Sequence, residues 1–185
     1  GASLSEWTAD HKLSGIAATQ WILESNVGVY PTGTPRPIWV IKGLKVYDPR
    51  LDSTYPGGSG AHRANDPSTW AWSENPALHA LAWCIGRYQG GVKAAGIGAP
   101  LAFIDFAAFV EAANVADANG WTIGGQVTTA ARKWDVLAAM LAAGGAVPCR
   151  QGALISCFVS APKTAVGQID QGDILGPATV AATQS

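Results

Sequence analysis

One stretch constrains this chain more than any other: Pro37 to Arg50, PIWVIKGLKVYDPR. Its side chains alternate, with Ile38, Val40, Leu44 and Val46 on one side and Trp39, Ile41, Lys45 and Tyr47 on the other. That period predicts one long strand with apolar bulk on both faces. Pro37 suits the first residue of a strand, where a missing N–H costs no ladder bond. Asp48-Pro49 ends the pairing, because Pro49 has no N–H to give and holds Asp48 extended. A strand of this length needs partners, and the segments before it are the expected ones.

Gly15 to Leu23, GIAATQWIL, is the second strand candidate. The Gly/Pro-rich run Gly28 to Pro37 connects the two as an antiparallel pair. After the Asp-Pro turn, Asp52 to Ser68 is a long polar loop, of a kind usually functional or disordered. Three helices then follow. Asn75-Pro76 predicts the start of the first, with Leu78, Leu81, Ala82 and Ile85 as its buried stripe as far as about Gln89. Asp105 caps the second, where Phe106, Phe109, Val110 and Ala113 share a face. The third runs from about Ala130 to Ala143, turns Val136, Leu137, Met140 and Leu141 inward, and is closed by Gly144-Gly145. Trp121 to Val127 is a short strand candidate between the second and third helices. Ala146 to Arg150 and Ala153 to Ser160 flank a Gln151-Gly152 hairpin turn. The later pieces AVGQI and ILGPATV read as further strands. The order predicts an α+β fold: a β-strand body, barrel- or sandwich-like, carrying a three-helix insertion lobe. The expected parts are 1–51 for the first strands, 52–145 for the helical lobe and 146–185 for the strands that complete the body.

Charge separates several functional classes. The chain has 12 basic and 13 acidic residues, a net charge of -1 and no Lys/Arg run. Nucleic acid and an anionic membrane are therefore poor partners for it. Charged residues make up only 14% of the chain, which predicts a surface partly covered by neighbours. Cys84, Cys149 and Cys157 are an odd set without metal spacing, and read as buried thiols from a reducing cytosol. Neither a signal peptide nor a bilayer-spanning run is expected from this sequence. Starting at Gly1-Ala2-Ser3 without Met is expected of a processed chain, or of a piece of a longer one.

No constellation for catalysis emerges. Gly57-Gly58-Ser59-Gly60 approaches a nucleophile elbow, but Ala61 replaces the last Gly and no strand leads in. It reads as a flexible loop. His11, His62 and His79 are scattered, outside any metal-binding helix pattern. Gly96-Ile97-Gly98 follows a helix instead of a strand, so it reads as a linker. Asp105 is accounted for as a cap, Asp48 as a turn former, and Asp135 by the early part of its helix. With Asp117 these carboxylates form no pair in sequence. No cofactor, no metal and no catalytic residue is expected.

The eight Trp residues are the compositional oddity. Trp70 and Trp72, beside the long loop, are either core or an interface anchor. On the first helix His79, Trp83 and Arg87 recur every four residues, away from the Leu stripe. Trp83 then stacks under Arg87, anchors an interface, or packs against the Asp52–Ser68 loop, the last being favoured. With Tyr55 in that loop, the candidate interface residues are Tyr55, Trp70, Trp72, Trp83 and Arg87.

Four runs taken together resemble a known family. They are KGLKVYDPR (Lys42 to Arg50), TWAWSENPALHALAW (Thr69 to Trp83), FIDFAAFVEAANVAD (Phe103 to Asp117) and WDVLAAMLAAGGA (Trp134 to Ala146). In this order they resemble the tip attachment, or host-specificity, protein of long-tailed bacteriophages, prophages and gene transfer particles. The opening WTADHKLSGIAATQWIL fits as well. The chain departs from the pattern at Ala116, where the family has Cys, and after Asn119. The resemblance implies a structural domain of a central tail tip hub, built from β domains with a helical insertion. It implies a homotrimer in the full-length parent, other tail tip proteins and a host-surface receptor as partners, and a place in the virion tail. It carries over no enzymatic residues. Two rivals remain: a carbohydrate- or receptor-binding module using Trp70 and Trp72, and a cell-wall hydrolase domain.

Overall fold

A computed structural model describes Leu23, residues 28–31, Gly33, residues 35–127 and 131–163, and Gly167, Asp170 and Asp173. Apart from single residues, the strand candidate at 15–23 and the apolar pieces AVGQI and ILGPATV lie outside the described residues, as does His11. The chain divides into two compact units, Gly1–Ile41 and Lys42–Ser185. In the first, residues 35–41 have no regular secondary structure, and Ile38, Val40 and Ile41 are largely exposed.

The second unit carries the described elements. The expected long strand is reduced to β1 (Lys45–Val46), which pairs antiparallel with β2 (Ala71–Trp72). Alternation of side chains permits a strand, but a ladder exists only over the residues that a partner backbone reaches. Here the partner covers two residues.

Helix α1 (Pro76–Ile85) begins where expected, with the Asn75 side chain accepting from the N–H groups of Ala77 and Leu78. It ends at Gly86, short of the expected Gln89, because φ there is +88°. Its last carbonyls are taken by the returning chain: Ile97 N–H donates to Trp83 O at 2.8 Å and Ala99 N–H to Cys84 O at 2.9 Å. Between those two points lies a hairpin of β3 (Arg87–Gln89) and β4 (Val92–Ala95), joined by Gly90-Gly91. Both glycines have positive φ, as a type I′ turn requires. Arg87 is therefore not on the helix with His79 and Trp83.

Helix α2 (Phe106–Asn119) starts at Asp105, which accepts from Ala108 N–H, and stops at the left-handed Gly120. Phe109 and Ala113 of its expected apolar face are buried, together with Ala112 and Ala116; Phe106 and Val110 are half-buried. Residues 121–127 form no strand; Ile123 N–H donates to Glu74 O. Helix α3 (Lys133–Ala142) buries Val136, Leu137 and Leu141. Strands β5 (Ala146–Gln151) and β6 (Leu154–Val159) form an antiparallel hairpin whose turn is Gly152-Ala153, one residue later than expected. Gly152 explains the shift: it takes φ +60° at the first loop position.

The mixed α+β class read from the sequence holds. The described strands do not close into a barrel; they make three separate antiparallel pairs. One core joins Val46 and Tyr47, Trp70, Leu78 and Leu81 of α1, Phe109 of α2, Leu137 and Leu141 of α3, and Cys157 and Val159 of β6. Residues from the strand part, the helical stretch and the returning hairpin thus share it. No helix among the described residues is long and apolar enough to cross a membrane.

Candidate interaction site

The Asp-Pro turn after β1 is the polar centre of the unit. Asp48 is buried and its carboxylate faces the Arg50 guanidinium in a two-pronged pair, Nε–Oδ1 2.9 Å and Nη2–Oδ2 2.8 Å. Arg50 Nη1 reaches over to α2, donating to Asn114 Oδ1 at 2.9 Å and Asp117 Oδ2 at 2.7 Å. The other oxygen of Asp117 accepts from Asn75 Nδ2 at 2.7 Å, and the same amide nitrogen donates to Ala113 O. Asn75 Oδ1 caps α1. One chain of hydrogen bonds therefore runs from the turn through α2 to the start of α1. The Asp48 pair, ahead of the opposing effect of burial, raises the Arg50 guanidinium further above its usual range.

A second hub is Asp52. Its Oδ2 accepts from the Tyr47 hydroxyl at 2.7 Å, and its Oδ1 accepts from Thr54 N–H and Oγ1 and from Arg63 Nη1 at 3.0 Å. Burial pushes this carboxyl up, but Thr54, Tyr47 and the Arg63 charge outweigh it and hold it below the usual carboxylate range. Tyr47 moves upward, through burial first and then its bond to Asp52. The loop at 52–68 is thus ordered around a charge. A Cβ at Gly58 would run into Asp52 O and Pro49 O, so Gly57–Gly60 is a packed loop with neither strand nor helix at its ends. His62 is buried, and its Nδ1 accepts from Asp48 N–H, which leaves the ring proton on Nε2. His79 Nε2 lies 2.8 Å from Ser73 O and acts as donor. No buried side-chain N or O among the described residues lacks a hydrogen-bond partner. No group of three His, Cys, Asp or Glu residues among them is placed to hold a metal.

The interface candidates separate. Trp70 is core: it is 3% exposed and its Nε1 donates to Arg63 O. Trp72, two residues on, is 40% exposed, with the Lys42 ammonium 5.0 Å over its ring. Tyr55 is half-buried against Phe106, and its phenol is raised by burial and then by the Asp105 charge. Trp83 is half-buried but donates to Lys133 O at 2.9 Å, at the start of α3 and not in the 52–68 loop. Arg87 stacks 5.8 Å over Trp70 instead of over Trp83, and its Nη1 donates to Lys45 O at 3.0 Å. The early end of α1 at Gly86 redirects Arg87; Trp83 stays on the helix and is turned toward α3.

Sequence reading missed one surface. Two shallow hollows, of about 270 and 350 Å³, share Ala64, Asn65 and Leu101 and so form one groove. The smaller opens over Tyr47, Tyr55 and Arg63, the larger over Trp70, Ile85 and Arg87. The signal in the sequence was Gly90-Gly91 between RYQ and VKAA, a hairpin mark that makes the wall of the larger hollow. Comparison of the chain with family models, with curated proteins and with solved structures returns no match.

Proposed function

We propose that this chain is a structural domain of a phage-type tail tip hub, contributing to tail assembly and host attachment. The observation that supports this most is where the resembling residues go. Arg50 from the first run bonds Asn114 and Asp117 of the third, and Asp117 bonds Asn75 of the second. Leu137 and Leu141 of the fourth enter the same core. Residues far apart in sequence are thus matched as a folding signature, as expected of a module retained for its shape. In the parent we expect a homotrimer around the tail axis, other tail tip proteins as neighbours and a host-surface receptor beyond them. The experiment is proteomics of purified particles with immunogold labelling of this domain. Label at the tail tip supports the reading; absence of the protein from particles overturns it.

The binding-module alternative has one observation behind it, the exposed Trp72 under Lys42. Glycan binding lost in Trp72→Ala, by a chain absent from particles, would favour it over the hub.

A further inference from the structure

The larger hollow holds an imbalance of charge. It is lined by Ala64, Pro67, Ile85, Ala99, Pro100 and Leu101, and by a single charged side chain, Arg87. Its volume, about 350 Å³, suits a few side chains of a guest. Arg50 and Arg63 each have a carboxylate within an ion pair, at 2.8 Å and 3.0 Å. Arg87 has none among the described residues. It is half-buried, its Nη1 goes to a backbone carbonyl, and its guanidinium carbon lies 5.8 Å from the centre of the Trp70 ring. Asp66, on the turn before Pro67, is occupied with Ser68 N–H and Oγ. A guanidinium with five donors and one protein acceptor, set into an apolar wall, is a site for an anion carried on an apolar body. Burial without a counter-charge also lowers the Arg87 guanidinium, in keeping with a cation short of its partner.

We propose that this groove docks a short acidic segment of a partner protein. An aliphatic side chain lies on the floor between Ile85 and Leu101, and a neighbouring Asp or Glu carboxylate pairs with Arg87. A protein segment is favoured over a glycan because Trp70, the indole of this hollow, is 3% exposed and offers no free face for a sugar ring to stack on. Asn65, exposed on the groove wall, offers its amide to the guest backbone. The proposal is independent of the hub reading.

The test is an amide NMR titration of the 15N-labelled chain with two probes, acetyl-Leu-Glu-Leu-Leu-amide and its Gln counterpart. The Glu probe should shift the amides of Ala64, Ile85, Arg87, Ala99 and Leu101, and bind about tenfold tighter than the Gln probe at low salt. Arg87→Gln should abolish that preference, and Arg87→Lys should keep part of it. Equal binding of the two probes by the native chain overturns the proposal without reliance on any variant. So do shifts confined to another surface, no binding at millimolar probe, or a preference that survives in Arg87→Gln. An acidic sugar that shifts these same amides when the Glu probe does not would replace the peptide with a glycan.

Discussion

Replacing Arg50 by Met keeps much of the side-chain stem and removes the charge that joins the Asp-Pro turn to α2. The variant loses the two-pronged pair with Asp48 and the bonds to Asn114 and Asp117. Asp48 is only 7% exposed and is left without its cation. Breaking a fully buried pair from one side costs about 3–5 kcal/mol. Here the cost is smaller, because the Arg50 side chain is 27% exposed and Asp48 keeps the Arg50 N–H at 3.0 Å. The Asp117 side chain is 53% exposed, so its share is at most about 1 kcal/mol. We expect Arg50→Met to cost about 2–3 kcal/mol, or about 5–10 °C in Tm for a chain of this size. Urea unfolding at constant m measures it. Asp117→Asn, which leaves an acceptor for Asn75, should cost less than about 1 kcal/mol. A cycle combining Arg50→Met with Asp48→Asn should give a coupling of about 1–2 kcal/mol. A loss in Arg50→Met no larger than in Asp117→Asn, or strict additivity in the cycle, refutes the hub role of Arg50.

Four further outcomes are expected. Asn75→Ala should cost about 1–3 kcal/mol, above a bare cap, since the bonds from Nδ2 to Ala113 O and Asp117 are lost too. Asn75→Asp keeps the cap but faces Asp117, so its melting temperature should rise relative to the native chain on acidification from neutral pH to about pH 4; no relative gain would show that the two groups do not meet. Stability should fall at alkaline pH. Burial pushes Cys84 and Cys157 up to about 12 and raises Tyr47 as well, so the folded chain retains protons that the unfolded chain releases from about pH 8.5 for Cys and about pH 10 for Tyr. The contribution is whole below those values and is lost as pH rises, by up to about 1.4 kcal/mol per unit per group; a flat urea midpoint between neutrality and about pH 11 would contradict this. Gly86→Ala should cost at least about 2 kcal/mol, because φ is +88° and its Cβ would lie 2.9 Å from Gly98 Cα, whereas Gly90→Ala, in open space, should cost about 1 kcal/mol.

Two of the three helix starts were legible because their signals are local; the third, expected at about Ala130, begins at Lys133 without a side-chain cap. Asn75-Pro76 and Asp105 each act within three residues of their own position, and Gly144-Gly145 closes α3 by the same short-range chemistry. Strand length was not legible. Whether Ile38 to Leu44 joins a ladder depends on a partner backbone, which alternation does not specify. The β3–β4 hairpin was hidden by extending α1 past Gly86, although the apolar stripe ends at Ile85 and Gly86 readily takes positive φ. The loop at 52–68 looked unstructured because its order comes from Asp52, whose four side-chain hydrogen bonds reach from Tyr47 to Arg63. Such a hub leaves no periodicity. The same holds for Trp83, whose Nε1 partner lies 50 residues away.

The division of labour among residues has a consequence for where binding should be sought. The resembling runs place Tyr47, Asp48, Arg50, Asn75 and Asp117 in bonds to one another or to the neighbouring Asp52. A change at Asp48, Arg50 or Asn75 disturbs folding before it disturbs a partner, because these groups are buried or half-buried, whereas the share of Asp117, 53% exposed, is smaller. The groove draws only in part on the runs, through Tyr47, Trp70 and Phe106. Ala64, Asn65, Arg87, Tyr88 and Leu101 lie outside all four runs, and Asn65, Tyr88 and Leu101 are exposed. Substitutions at Asn65, Tyr88 and Leu101 should therefore cost little stability, since surface changes away from such networks alter it by about 0.5 kcal/mol or less. In the proposed docking, partner choice would rest on these residues outside the four runs. Exchanging Asn65, Tyr88 and Leu101 together should alter which segment docks and leave the urea midpoint nearly unchanged, whereas one change at Arg50 should do the reverse.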